Sequence, residues 1–272
     1  KVSVITYTTT DGEALTIDAQ DFDAEIVSHT YENGEGVITF GVNFTKIGER
    51  AFQCCRTLTS INIPDGVTEI GSFAFEYCNR LTSITIPESV TSFGVNPFCR
   101  CVNLENFSGE YASADGRCII IDNTLVSFAP KGLTSYTIPQ GVTQIGTSAF
   151  SDCDDLISVT VPEGVTKLGV SAFDLCDNLL TVYLPKSLTT ICDSAFIHNP
   201  SLSDVYLKSA TPAALGGSSV FDDNPSGRKI HVKSSSFVAY KRAQYWSEYA
   251  AYIVGDLDRI VHTISYTTTD GE

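Results

Sequence analysis

The chain repeats itself every 23 residues, and that period restricts the possible folds more than any other feature. Segments beginning Ile47-Gly48, Ile70-Gly71 and Phe93-Gly94 follow one another at this interval, as do those beginning Ile145-Gly146, Leu168-Gly169 and Ile191-Cys192. A gap of 52 residues, two periods plus six, separates the two runs. Each segment carries a phenylalanine five residues in: Phe52, Phe75, Phe98, Phe150, Phe173 and Phe196. Three residues later comes a cysteine (Cys55, Cys78, Cys101, Cys153, Cys176), replaced in the sixth segment by Asn199. Three more bring a leucine: Leu58, Leu81, Leu104, Leu156, Leu179 and Leu202. An alternating stretch then ends on proline, as in Ile61-Asn62-Ile63-Pro64 and Val159-Thr160-Val161-Pro162. A fixed period of this length is the mark of stacked coils.

The physics of one coil follows from these positions. Inward apolar residues at every second place make Leu-x-x-Ile-x-Ile a short strand, and the proline, which lacks a donor, ends it. A turn such as Asp65-Gly66 or Glu163-Gly164 leads to Val-Thr-x-Ile-Gly, a second short strand, and the Ala-Phe segment reads as a helical turn. One coil cannot bury its own apolar face, but stacked coils bury it continuously, with the phenylalanines as a spine. The Cys/Asn position reads as structural, because a small buried side chain with a donor can satisfy a backbone group at a tight turn. A disulfide or metal role is the alternative. The nine cysteines contain no CxxC pair, and Cys54 and Cys99 sit two coils apart, roughly 9–10 Å and too far to bridge.

Where the period fails, other elements are expected. Ala114-Asp115-Gly116 is a hairpin-turn signal between apolar arms. A degenerate coil resumes near Asp122, lacking the phenylalanine and cysteine but keeping Tyr136-Thr137-Ile138-Pro139. Residues 1–41 read as an N-terminal β cap, 42–207 as the solenoid and 208–257 as a C-terminal cap. That last cap is expected to hold a strand at Lys229–Val232 and an amphipathic helix over Ser234–Tyr252. The aromatics of this helix, Phe237, Tyr240, Tyr245, Trp246, Tyr249 and Tyr252, plug the end of the core or form a ligand platform. Residues 264–272 nearly duplicate residues 5–13, so 258–272 read as a connector and the start of a further module, Asp256–Thr263 being a short connector and residues after about Asp258 adding little to the stability of this unit. The chain itself reads as a piece of a longer protein.

Composition excludes several functions. A formal net charge of −15 opposes nucleic-acid binding, which needs a basic patch. No apolar run approaches the ~18–20 residues that cross a bilayer. His29, His198, His231 and His262 lie far apart, and neither HExxH, GxSxG nor GxGxxG occurs. The acidic clusters Asp152-Cys153-Asp154-Asp155 and Asp222-Asp223-Asn224 lack EF-hand spacing and read as solvated turns. Sequons at Asn43 and Asn106 matter only in a eukaryotic source. No catalytic residue, metal site or cofactor is expected.

The coil Ile-Gly-x-x-Ala-Phe-x-x-Cys-x-x-Leu-x-x-Ile-x-Ile-Pro resembles that of the BspA-like leucine-rich-repeat surface proteins of host-associated bacteria and some mucosal protozoan parasites. The ending Trp246-Ser247-Glu248-Tyr249-Ala250-Ala251-Tyr252-Ile253 matches as well, and the likeness spans roughly residues 25–255. This resemblance implies a β-rich leucine-rich-repeat solenoid, with a β cap at its N-terminus and a helical cap at its C-terminus. It further implies an extracellular or cell-surface place and an adhesin-like, non-enzymatic role, with host proteins such as fibronectin or fibrinogen as partners. A carbohydrate-binding module or a structural spacer is the alternative. No binding motif of the family maps onto numbered positions here.

The candidate site therefore comes from strand periodicity. Outward side chains form one column of Asn62, Thr85, Ser108, Thr137, Thr160, Tyr183 and Tyr206. A second holds Ser60, Ser83, Asn106, Ser135, Ser158, Thr181 and Asp204. Seven coils at ~4.8 Å would make a face roughly 30 Å long. At its C-terminal end Tyr183, Asp204 and Tyr206 place two large aromatics beside a carboxylate, and tyrosine anchors interfaces. The alternative is that the tyrosines pack against the departing chain.

Overall fold

The computed structural model describes residues 3–260. Every coil contributes to two columns of parallel strands. One contains Leu58–Asn62, Ser83–Ile86, Asn106–Gly109, Ser135–Thr137, Ser158–Thr160, Thr181–Leu184 and Asp204–Leu207. The other contains the two-residue strands Lys46–Ile47, Glu69–Ile70, Ser92–Phe93, Gln144–Ile145, Lys167–Leu168 and Thr190–Ile191. Pairing is in register, Ser135 opposite Ser158 and Tyr183 opposite Tyr206, so equivalent apolar residues such as Val159, Val182 and Val205 fall on one buried line.

The third side is a run of tight turns. Ala51, Gln53 and Cys55 donate to Gly48, Arg50 and Phe52, three residues back, and Arg50 and Cys54 are left-handed. Alternate amides point along the stack: Arg50, Phe52 and Cys54 donate to Ser72, Ala74 and Glu76 of the next coil. The expected helical turn is thus realised as paired turns that also form a ladder. The phenylalanine rings inside stack at 5.2 Å in Phe52–Phe75, Phe75–Phe98 and Phe173–Phe196.

Below the spine runs the Cys/Asn rung. Cys78 Sγ donates to Phe52 O at 3.3 Å, Cys101 to Phe75 O at 3.1 Å, Cys176 to Phe150 O at 3.0 Å, and Asn199 Nδ2 to Phe173 O at 2.8 Å. The interchange works because each side chain brings one hydrogen to the same buried carbonyl. All nine cysteines are free.

Ahead of the first coil lies an antiparallel sheet of β1 (Val4–Thr9), β2 (Ile26–Glu32) and β3 (Glu35–Phe40), in the order β2-β3-β1, whose β1 pairs with Leu58–Asn62. Ile5 and Tyr7 of β1 point into the core.

Between the two runs the expectations need correction. The turn at 114–116 forms, closed by Gly116 N–H to Ser113 O, but a longer hairpin of Cys118–Ile121 with Thr124–Phe128 turns at Asp122-Asn123. Both turn residues are left-handed, as such a hairpin requires. Its first strand is shared between two cores. Cys118 and Ile120 pack toward the C-terminal cluster, and Ile119 and Ile121 toward the N-terminal one. The degenerate coil has a spine ring after all, because Phe128 lies 4.5 Å from Phe150. Nor is the outward face continuous over seven coils. Ser83–Ile86 and Asn106–Gly109 form a separate pair, and the unbroken sheet is six strands from Ser135–Thr137 to Ile253–Val254.

At the C-terminus Lys229–His231 and Ile253–Val254 extend that sheet beyond Leu207. Ser234–Tyr252 is not one helix. It contains α1 (Phe237–Arg242), a left-handed Tyr245 and a 3-10 turn at Trp246–Tyr249. The cause is the spread of acceptors on the preceding loop. Tyr240 Oη donates to Ser209 O at 3.1 Å, Trp246 Nε1 to Ala213 O at 2.7 Å, and Tyr249 Oη to Ser218 O. Acceptors strung along an extended loop cannot all be met from a straight helix. These three aromatics are buried and close the core. Asp256–Asp258 are tied to the cap: Leu257 N–H donates to Val232 O, and Asp258 accepts from Ser234 N–H. Residues 264–272 and His262, with the expected further module, lie outside the described residues.

Candidate functional site: a stacked aromatic column

Parallel strands in register bring equivalent side chains to the strand spacing, which is close to the stacking distance of aromatic rings. Tyr183 and Tyr206 accordingly stack at 4.9 Å and 10°. The column continues to His231, whose ring lies 4.5 Å from Tyr206 at 11°. Tyr206 is therefore sandwiched between Tyr183 and His231 of the departing chain. Both tyrosines stay partly exposed, with His231 buried beneath the end of the stack.

Asp204 lies beside this column, its register partners being Thr181 and Lys229. Its Oδ1 is 2.9 Å from His231 Nε2, and Asp256 Oδ1 is 2.8 Å from His231 Nδ1. Both ring nitrogens face a carboxylate, which locks the imidazole in orientation. Ser203 Oγ donates to the other Asp204 oxygen at 2.6 Å. Burial alone would raise the Asp204 carboxyl, but the Ser203 and His231 hydrogen bonds, with the charges of His231 and Lys229, hold it below the usual carboxylate range. The Tyr206 phenol is pushed up by burial, then by the charge of Asp204.

Two members escaped sequence reasoning. His231 was in reach, because Lys229–Val232 reads as a strand, but it follows Tyr206 by 25 residues instead of 23. Asp256 carried no signal, since it arrives through the two-residue strand Ile253–Val254. The other described histidines are also engaged: His29 with Tyr7 Oη at 2.6 Å, and His198 with Asp174 and Asp223 at 3.0 and 3.3 Å. Of the acidic clusters, Asp152 pairs with Arg100 and Asn224 accepts from Asn199 N–H. Among the described residues no group of three or more His, Cys, Asp or Glu is placed to hold a metal ion, and no helix is long and apolar enough to cross a membrane.

The sequence matches the family described as BspA type leucine-rich repeat region in six copies, over residues 26–113 and 124–245. No curated protein matches it in sequence. Among solved structures it is similar to the pneumococcal vaccine antigen PcpA, with TM-score 0.59 and 24% identity over 69% of this chain and 48% of that one. It is also similar to a leucine-rich cell surface protein of Faecalibacterium prausnitzii, with TM-score 0.53 and 24% identity over 76% of this chain and 59% of that one. The chain thus spans about half the length of these proteins, and at this identity the likeness concerns the fold.

Proposed function

Because the chain belongs to the BspA-type leucine-rich-repeat family, we propose that it is a non-enzymatic, protein-binding module of a bacterial surface protein, acting outside the cell in an adhesin-like role. The observation that carries this reading is the Tyr183–Tyr206–His231 stack, braced by Asp204 and Asp256. Rings held on each other by strand register lose little freedom on binding, and such preorganised aromatics anchor interfaces. Both faces of Tyr206 and one face of Tyr183 are covered by neighbouring rings, so the stack offers mainly edges and hydroxyls. That suits hydrogen bonding to a protein surface better than the flat platform a sugar ring needs. The description of the Faecalibacterium relative as a cell surface protein supports the placement. His198 and His231 each place both ring nitrogens against carboxylates, which disfavours either as the general base of a catalytic site.

The partners implied by the family resemblance are host matrix or plasma proteins such as fibronectin and fibrinogen. The test is a Tyr183→Ser, Tyr206→Ser double variant, measured for thermal stability and for binding to those proteins. Binding should be lost while the fold survives. Lost stability with binding unchanged would assign the pair to packing and reject the site.

A further inference from the structure

At the C-terminal end, an open pocket of about 340 Å³ is lined by Ser218, Asp222, Arg228, Glu248, Tyr249 and Tyr252. None of the stacked residues contributes to it. Arg228 is only 6% exposed, yet among the described residues no carboxylate pairs with it within 4.0 Å. Its Nη1 donates to the carbonyls of Asn224 and Pro225 at 3.3 and 3.2 Å, long for bonds from a charged donor. Its Nε is buried with no hydrogen-bond partner. The guanidinium lies 4.0 Å over the Tyr252 ring and 5.3 Å from that of Tyr249. Bracing the 224–225 turn accounts for Nη1, and the Tyr252 ring covers one side of the guanidinium itself. The charge of Asp222 reaches the guanidinium from beyond 4.0 Å, but no carboxylate pairs with it directly and its Nε has no partner, and a buried cation left underpaired is costly.

The chemistry of the lining narrows the ligand. A guanidinium fork suits a planar carboxylate. Asp222 and Glu248 stand at the rim, where they oppose a polyanion but accept hydrogens from hydroxyls. Ser218 adds a hydroxyl, and the volume lies within the range of small-ligand sites. One carboxylate on a hydroxyl-rich ring satisfies all of these at once. We propose that the pocket binds an acidic sugar residue, its carboxylate on Arg228 and its hydroxyls on Asp222, Glu248 and Ser218. This site is independent of the aromatic column.

The test uses the whole chain, titrated with glucuronic acid and N-acetylneuraminic acid by ligand-observed NMR, beside glucose and inorganic sulfate. At least one acidic sugar should bind saturably at millimolar concentration, and neither comparator should. Arg228→Lys keeps the charge but loses the fork and should weaken binding by at least about tenfold. Should that variant unfold, the exposed Glu248→Ala supplies the second measurement, with affinity falling about threefold at unchanged melting temperature. Absence of saturable binding overturns the proposal. So does equal binding of glucose or of sulfate, or an affinity unmoved by either substitution.

Discussion

A thiol and a carboxamide serve the same carbonyl on successive coils, but not equally well. Asn199 Nδ2 lies within bonding distance of Phe173, Phe196 and Ile197 carbonyls, while its Oδ1 accepts from Cys176 N–H. Cysteine can supply the first of these contacts and not the last. Asn199→Ala should therefore cost about 3 kcal/mol, from several buried groups left unpaired, and Asn199→Cys about half as much. Chemical denaturation measures both, and an alanine variant as stable as the parent would refute the rung. The thiols themselves should be inert. Burial pushes Cys55 and Cys118 up to about 12, so thiolate is scarce at neutral pH. Only Cys54, which is exposed, and Cys192, which is partly so, should react with a thiol reagent in the folded protein. The other cysteines should react only on unfolding, and rapid labelling of any of them would contradict this. The rung was legible in sequence because a 23-residue spacing singles out Cys55, Cys78, Cys101, Cys153, Cys176 and Asn199. Which carbonyl Cys78, Cys101, Cys176 and Asn199 serve was not, because that acceptor lies 26 residues back in the preceding coil.

The strand Lys229–His231 is tied at His231 to Asp204 of the neighbouring strand and to Asp256 beyond the next. Because the folded Asp204 carboxyl sits below its ordinary range, its ionised form stabilises the fold at pH above that range. The contribution fades as pH falls through the lowered folded value. Asp204→Asn should thus cost about 1 kcal/mol near pH 7, with the gap to the parent closing in acid. Melting curves across pH would show it, and a gap that widened in acid would reject the assignment. Elements in this part of the chain were unevenly legible. Strands announced themselves through alternation and a closing proline, whereas the aromatics of 237–252 mimic an amphipathic helix. Their true path depends on where Ser209, Ala213 and Ser218 offer carbonyls, a spatial fact that no local pattern carries.

Across the whole molecule the period predicted a continuous stack, and the structure instead joins two. Apolar residues fall into two clusters that meet at the hairpin strand Cys118–Ile121. The 52-residue gap hid this, because Cys118-Ile119-Ile120-Ile121 is apolar on both faces and alternation cannot say that each face belongs to a different core. Elsewhere each turn segment hands main-chain hydrogen bonds to the next coil, as Phe73, Phe75 and Tyr77 do to Val95, Pro97 and Cys99. Between the turns at 94–101 and 146–153, side chains take over. Asn96 Nδ2 donates to Ser148 O at 2.5 Å, Ser127 Oγ to Asn96 Oδ1 at 2.8 Å, and Arg100 Nε to Asp152 Oδ2 at 2.8 Å. A stacked protein unfolds as one unit only while its nearest-neighbour interfaces are strong. Replacing Asn96 and Arg100 together by alanine removes all three bonds at the one place without a main-chain ladder, at a cost of about 3 kcal/mol. The apolar hairpin would still hold the halves together, so the double variant should fold. Its calorimetric endotherm should broaden or split, and amides of one cluster should lose exchange protection before those of the other. A single sharp transition, merely shifted to lower temperature, would mean that the shared strand alone couples the two cores.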